Sequence, residues 1–202
     1  NLGDRDLATS IHRTRLLSEG VPLHEVVKDL VASFSLDLNI LPATNQRIST
    51  LIETKSGMLS FQDYMVRLRG TPEVTGVRFS EIDQAVPAPG VLEAINDASM
   101  IVLAPSNPFL SIEPILAVAG VRHAIKSSAA PVVAISPIVG GAAIKGPAAR
   151  LLQSLGHEVS ALGVARIYAN LVDHFCLDEV DRELEASIAA LGLNTHVTNT
   201  IM

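Results

Sequence analysis

The sequence predicts an open, mostly parallel α/β sheet that carries a helical and antiparallel β insertion. Residues 100–104 (MIVLA) and 132–135 (VVAI) are continuous apolar runs, typical of strands buried on both faces in the middle of a parallel sheet. They are separated by about thirty residues, including helix-forming sequence at 115–126, which is the size of one β-α-β unit. Residues 48–79 alternate with a period of two instead, as antiparallel strands do. We therefore predict a Rossmann-like core with an insertion.

The insertion is predicted to occupy residues 1–85. Its first forty residues show helical spacing of apolar side chains, with Asp6 as a cap of the first helix and Pro22 in the first turn of the second. The turn Lys55-Ser56-Gly57 then joins two strands of a hairpin. The predicted strands of this region are 48–54, 58–61 and 74–79.

The Rossmann-like core is predicted to occupy residues 86–202. Its strands alternate with segments of helical composition, as expected for a chain that winds along one sheet. The predicted strands are 100–104, 132–135, 174–177 and 195–198, and the predicted helices are 91–96, 115–126 and 148–155.

Composition excludes several classes of function. The net charge is −6, aromatic residues make up 3% and Trp is absent, which argues against a nucleic-acid partner. Cys176 is the single cysteine, so no internal disulfide can form, as is typical of a reducing cytosol. No window approaches the ~20 apolar residues of a membrane span, and no signal peptide is present, so we expect a cytoplasmic protein. The six His residues are scattered without metal-ligand spacing.

Polar residues follow two neighbouring strands of the predicted core, where ligands of open α/β sheets bind. Ser106, Asn107 and Ser111 lie between the strand at 100–104 and the next helix, whose first N–H groups favour a phosphate. An ordinary turn capped by Ser and Asn is the alternative interpretation.

The turn after the second strand contains two adjacent glycines. Gly140 and Gly141 would permit close approach of a ligand to the backbone, and Lys145 would reach a phosphate. A flexible loop without a ligand is the alternative.

A charged cluster stands near the start of the chain. Asp4 or Asp6 could bind Mg²⁺ through carboxylate oxygens, and Arg5 could make bidentate contact with a phosphate or a polar ring. A helix cap with a surface ion pair is the alternative.

The sequence resembles the 2-phospho-L-lactate transferase family of deazaflavin coenzyme F-420 biosynthesis. The matching segments run in family order along the chain. They are LGDRDLAT (2–9), FQDYMVR (61–67), APSNPFLSIEPILAV (104–118), SPIVGG (136–141), KGPA (145–148) and GVARIY (163–168).

The resemblance implies a reaction and a set of partners. The family moves a phospholactyl or phosphoenolpyruvyl group from a guanylyl-activated donor to a hydroxyl of the deazaflavin Fo and releases GMP, with Mg²⁺ as cofactor. By this resemblance Arg5 contacts the deazaflavin, and Ser106, Asn107 and Ser111 line the nucleotide rim. The family's dimers imply a homodimer. Which three-carbon acid is used stays open.

The sequence departs from the family pattern in several respects. The opening strand with its Gly-rich nucleotide loop and the acidic PDLDT-like segment, where the main metal carboxylate is expected, do not occur in it. We therefore expect the N-terminal strands of the core to be missing and this chain alone to be inactive. Glu113 replaces a usual Gly and adds negative charge near the expected phosphate site.

Two alternatives stay open. One is a non-enzymatic nucleotide-sugar-binding regulator with the same core fold. The other is a generic nucleotide-binding α/β domain whose insertion serves oligomerisation.

Overall fold

The insertion consists of a helical hairpin and a small antiparallel sheet. The computed structural model describes residues 3–143 and 146–201. Helices α1 (Asp4–Ser18) and α2 (Leu23–Ser33) pack against each other, and the sheet has the order β2-β1-β3. Its strands are β1 (Thr50–Thr54), β2 (Gly57–Ser60) and β3 (Val74–Phe79). Both the helices and the strands were predicted from their periodicity.

The core is a parallel sheet of four strands with helices between them. Its elements in chain order are α3 (Val91–Asn96), β4 (Ile101–Leu103), α4 (Glu113–Leu116), α5 (Val121–Ser127), β5 (Val132–Ile135), the hairpin β6 (Ile138–Val139) and β7 (Ala142–Ala143), α6 (Ala148–Ser154), α7 (Ala161–Tyr168), β8 (His174–Asp178), α8 (Glu185–Ala189) and β9 (Asn194–Thr198). The predicted fold class is confirmed, and the boundary at residues 85 and 86 stays a prediction.

The helices that connect the strands of the core lie against one face of the sheet. The sheet order β4-β5-β8-β9 follows the chain order, and right-handed crossovers in a constant direction place every connection on the same side. Leu103, Ala134 and Phe175 point to that side and are buried. Val102 points to the opposite side and is 52% exposed. The second face of the sheet therefore has little cover from the described part of the chain.

The edge of the sheet at β4 is also open. Within the described residues β4 pairs only with β5. A groove of about 600 Å³ runs beside β4, and its lining is mainly apolar, with Leu41, Ile95, Val102 and Leu116 among its residues. A strand edge with unpaired backbone groups beside an apolar groove is suited to pairing with a further strand.

The insertion is anchored to the core through α6. Leu151 of α6 is fully buried together with Ile52 and Val74 of the antiparallel sheet and with Tyr64. The Tyr64 hydroxyl donates a hydrogen bond to the Gly70 carbonyl at 3.3 Å, which satisfies its polar group in this small core. This packing fixes the turn Asp63–Arg67 near the carboxyl end of the parallel sheet.

The predicted helix at 115–126 is interrupted in the structure. It divides into α4 and α5, whose axes differ by 85° when α4 is taken with the preceding turn from Pro108. Gly120 adopts a φ of +81° at the break, a conformation that a residue without a Cβ atom reaches at low cost. Helices α7 and α8 were not predicted from the periodicity of the residues. No single helix in the described ranges has the length and apolar composition to cross a bilayer.

We predict that Gly163→Ala destabilises the protein. Gly163 lies in the first turn of α7, where Ser160 caps the helix, and an added Cβ would overlap the Glu158 carbonyl. Because this neighbour is backbone, the expected loss in the free energy of unfolding is about 3 kcal/mol, measured by urea denaturation.

Gly192→Ala is the matched control. Gly192 has a positive φ of +86°, and no atom lies near the position of an added Cβ. Only the conformational cost of about 1 kcal/mol is expected there. Equal losses for the two variants would contradict the steric explanation.

Candidate active site at the carboxyl end of the sheet

A pocket of about 440 Å³ opens where the carboxyl ends of the core strands meet the insertion. Turns that follow β4, β5 and β9 form one wall of the pocket. The start of α6 forms a second wall, and the insertion forms a third. The lining residues are Phe61, Met65, Pro105, Ser106, Asn107, Leu110, Ser111, Pro137, Gly146, Pro147, Ala148 and Thr200. The structure thus brings the predicted rim residues Ser106, Asn107 and Ser111 together.

Asn107 presents a buried hydrogen-bond donor at this pocket. Its Oδ1 accepts hydrogen bonds from the backbone N–H groups of Phe109 at 3.0 Å and Leu110 at 3.1 Å, and so caps the helical turn that begins at Pro108. These bonds fix the orientation of the amide. Its Nδ2 is buried and has no partner in the described part of the chain. A buried donor without a partner is costly, which suits it to an acceptor atom on a ligand.

The two glycines after β5 shape a hairpin and do not line the pocket. Gly140 and Gly141 have positive φ values of 58° and 73° in the turn between β6 and β7. The Gly140 N–H donates to both carboxylate oxygens of Asp181, at 3.1 and 3.0 Å. Since Asp181 is buried, this N–H is not free for a phosphate. The hairpin instead leads the chain to Gly146, which does line the pocket. Lys145 lies outside the described residues.

The N-terminal charged cluster lies apart from this pocket. Asp4, Arg5 and Asp6 form the first turn of α1, and the Asp6 carboxylate accepts a hydrogen bond from the Gly3 N–H at 3.2 Å. Arg5 instead borders a separate pocket between α1 and α2, together with Phe34. Asp6 therefore contributes to the N-terminal cap of α1.

Thr200 and Asp178 were missed by sequence reasoning. Thr200 lines the pocket just beyond β9, and both its N–H and its Oγ1 donate to Oδ2 of Asp178 at 2.9 Å. Asp178 is the last residue of β8 and is only 4% exposed, and its Oδ1 accepts from the Val180 N–H at 3.2 Å. These bonds lower the pKa of the Asp178 carboxyl below its ordinary value, and the bond from the Thr200 N–H has the largest effect. A polar residue directly after a predicted strand was the available signal.

Glu113 does not bring negative charge into the pocket. It is absent from the pocket lining, and both of its carboxylate oxygens accept from Arg122 Nη2, at 2.8 and 2.7 Å. The ion pair compensates the charge that the sequence placed near the rim.

The histidines are less scattered than the sequence suggests. His174 Nδ1 and His196 Nε2 lie 2.9 Å apart on the neighbouring strands β8 and β9. Because His174 is the first residue of β8, this pair lies away from the carboxyl-end pocket. Across the described ranges, no group of three or more His, Cys, Asp or Glu side chains is arranged to hold a metal ion.

Comparison with known proteins gives a consistent result. A family model described as 2-phospho-L-lactate transferase CofD matches residues 1–196. The chain is 41% identical over 201 residues to 2-phospho-L-lactate transferase of Methanosarcina acetivorans and 42% identical over 206 residues to phosphoenolpyruvate transferase of Streptomyces griseus. In both cases 100% of this chain aligns with 65% of the relative, so the chain spans about two thirds of their length.

A solved structure has the same fold. A member of the UPF0052 family from Bacillus halodurans aligns with 95% of this chain and 65% of its own, with a TM-score of 0.64 and 20% sequence identity. At this identity the likeness concerns the fold alone.

We predict that Asn107→Ser and Asn107→Ala separate the two roles of this side chain. Serine retains a cap acceptor but lacks the buried amide donor, so Asn107→Ser should keep the unfolding midpoint and bind pyrophosphate at least about tenfold more weakly. Asn107→Ala should lose both the binding and about 1 kcal/mol of stability. Calorimetry and thermal unfolding measure the two effects, and wild-type affinity in Asn107→Ser would contradict the donor role.

We predict that Asp178→Asn destabilises the protein in a pH-dependent way. Because the folded-state pKa is lowered, the ionised carboxylate stabilises the fold above the ordinary Asp pKa of about 3.9, and this stabilisation is lost as the pH falls through the lowered value. Urea unfolding at pH 7 should show a less stable variant, and the difference should shrink at pH 3. Asp37→Asn, at an exposed position, is the control and should change neither value.

Proposed function

Because the chain belongs to the 2-phospho-L-lactate transferase CofD family, we propose that it serves the transfer of a phospholactyl or phosphoenolpyruvyl group from a guanylyl-activated donor to the deazaflavin Fo. The acceptor hydroxyl oxygen bonds to the phosphorus that bears the three-carbon acid, and the bond from that phosphorus to GMP breaks. The product belongs to coenzyme F-420 biosynthesis. The observation that carries the proposal is the buried, unpartnered Asn107 donor at the carboxyl-end pocket.

The pocket supports phosphoryl transfer by positioning. Its polar groups are neutral donors and acceptors from Ser106, Asn107, Ser111 and Thr200, and none of the described residues that line it is an acid or a base. In phosphoryl transfer the protein does little covalent chemistry and acts by orienting the reactants and stabilising charge. Asn107 Nδ2 is suited to donate a hydrogen bond to a phosphoryl oxygen of the guanylyl-activated substrate.

Around the pocket, the residues that the structure describes do not form a ligand set for Mg²⁺. Asp178 is the nearest carboxylate in the hydrogen-bond network of the lining residues, and its oxygens already accept from Thr200 and Val180. We therefore assign no step to the ion here. The proposal that the whole protein uses Mg²⁺ places its ligands outside the described residues.

We further propose that the sheet continues beyond β4 in the longer protein. The relatives have about half as many residues again as this chain, and the β4 edge beside its apolar groove is open. Strands added next to β4, on the side away from β5, would place their right-handed crossovers on the face of the sheet where Val102 is exposed. The order of strands would then reverse at β4, and ligands bind at such a switch point, next to Ser106 and Asn107.

The role of Arg5 as a deazaflavin contact is a proposal from the family resemblance. Its pocket between α1 and α2 offers a guanidinium beside the aromatic ring of Phe34. Such a pair can bind a flat polar ring by stacking and bidentate hydrogen bonding. This pocket is separate from the pocket at the strand ends. A deazaflavin that places its hydroxyl at the strand ends would therefore contact Arg5 of a second copy of the chain, or the rest of the protein would join the two pockets.

A nucleotide-sugar-binding regulator is the second candidate. The described residues of the pocket lining include no titratable group, so the pocket is equally suited to binding without transfer. Such a protein would bind a nucleotide without transferring a group from it. Deazaflavin binding and turnover distinguish the candidates.

A transfer assay tests the proposed function. We expect the chain expressed with all coding sequence that flanks it to convert Fo and a guanylyl-activated acid into product and GMP, and the 202-residue chain alone to be inactive. Chromatography of product and GMP measures turnover with lactyl and enolpyruvyl donors. Nucleotide binding without turnover would favour the regulator.

Two arginine variants serve as a matched pair in a binding assay with Fo. Arg5→Ala should weaken Fo binding, measured by quenching of deazaflavin fluorescence, by about tenfold or more. Arg13→Ala removes an exposed guanidinium from the same helix and should bind Fo as the wild type does. Equal binding by both variants would contradict the role of Arg5.

A further inference from the structure

We infer that Thr200, held by Asp178, accepts the hydrogen bond of the acceptor hydroxyl that attacks the phosphorus. This assignment rests on the proposed function and adds to it the residue that orients the nucleophile. Its basis is the hydrogen bond between Thr200 and Asp178 at the pocket wall. This bond makes Thr200 a hydrogen-bond acceptor toward the pocket, whereas Asn107 offers a donor.

The hydroxyl of Thr200 can only accept hydrogen bonds from a ligand. A hydroxyl group has a single hydrogen, and Oγ1 directs it to Oδ2 of Asp178 at 2.9 Å. An ionised carboxylate has no hydrogen and can only accept, so Asp178 cannot donate this bond to Thr200. The lone pairs of Oγ1 are therefore what Thr200 offers to the pocket.

Asp178 fixes this polarity as a positioning residue. It is 4% exposed and is held at the end of β8 by hydrogen bonds from the backbone N–H groups of Thr200 and Val180. The backbone bond to Thr200 places the residue, and the side-chain bond sets the direction of its hydroxyl hydrogen.

The pocket thus has an acceptor at Thr200 and a donor at Asn107 Nδ2. The two reacting groups of the proposed transfer have the complementary polarity, since the attacking hydroxyl donates a hydrogen bond and the phosphoryl oxygens accept them. A ligand with two anionic ends would leave Thr200 unsatisfied. The arrangement therefore fits an alcohol that approaches a phosphoryl group.

The step balances without a further reactant. The acceptor oxygen forms its bond to phosphorus, the bond from phosphorus to the GMP oxygen breaks, and its electron pair leaves with GMP. The hydroxyl proton is released to water from the site of its hydrogen bond to Thr200. Orientation of the lone pair toward phosphorus is the contribution of Thr200.

Thr200→Val and Thr200→Ser test the inference in the protein that carries out the transfer. Valine keeps the shape and the backbone N–H that bonds to Asp178 but removes Oγ1, so kcat should fall about 10²-fold while the KM of the guanylyl donor stays unchanged. Serine restores the hydroxyl and should stay within about threefold of wild type. Thr198→Val, at an exposed position on β9, is the matched control and should leave kcat unchanged.

The outcomes separate the inference from the proposed function. Absence of turnover in the wild type would overturn both. Turnover in the wild type together with wild-type kcat in Thr200→Val would overturn the inference alone. A loss in Thr200→Val that Thr200→Ser does not rescue, with unfolding midpoints equal to wild type, would also overturn it.

Discussion

Parallel strands in one sheet are joined by right-handed crossovers, and in this core the strands follow one another across the sheet in chain order. Each helix must then pack on the same face, where Ala134, Phe175 and Leu177 are fully buried. The same constraint aligns the carboxyl ends of β4, β5, β8 and β9 at one edge of the sheet. The pocket exists because turns of different sequence, at Asn107, Pro137 and Thr200, are brought to that edge.

The insertion completes the pocket through a packing contact far from its polar groups. Leu151 extends from α6 into the small core formed with Ile52, Tyr64 and Val74. This contact positions Phe61 and Met65 opposite the strand ends. Because α6 begins with Ala148 at the pocket wall, the same helix carries both the site and the anchor of the insertion. Stability of the insertion and shape of the site are therefore coupled.

Buried carboxylates near the site serve to hold backbone in place. Asp181 holds the β6–β7 turn through the Gly140 N–H, and Asp178 holds Thr200. Each has its oxygens satisfied by donors of the protein, as buried charges require. Among the described residues, the polar groups that line the pocket and remain for a ligand are neutral. The sheet itself stays open at β4, where the proposed additional strands of the longer protein would add the rest of the site.

The fold class, the strands of the three-stranded and four-stranded sheets, the family, and the position of Ser106 and Asn107 at a strand end could be predicted from the sequence. These follow from local signals, namely apolar runs, period-two alternation and polar residues directly after a strand. The prediction of a single helix at 115–126 was wrong. The composition of this segment favours a helix throughout, but Gly120 adopts a positive φ that interrupts it. Which polar groups contact one another depends on the tertiary fold. It separated Arg5 from the rim, engaged the Gly140 N–H with Asp181, and joined Asp178 to Thr200 across 22 residues of chain. Such pairings depend on sheet register and on crossovers between distant segments, which no local pattern in the chain encodes.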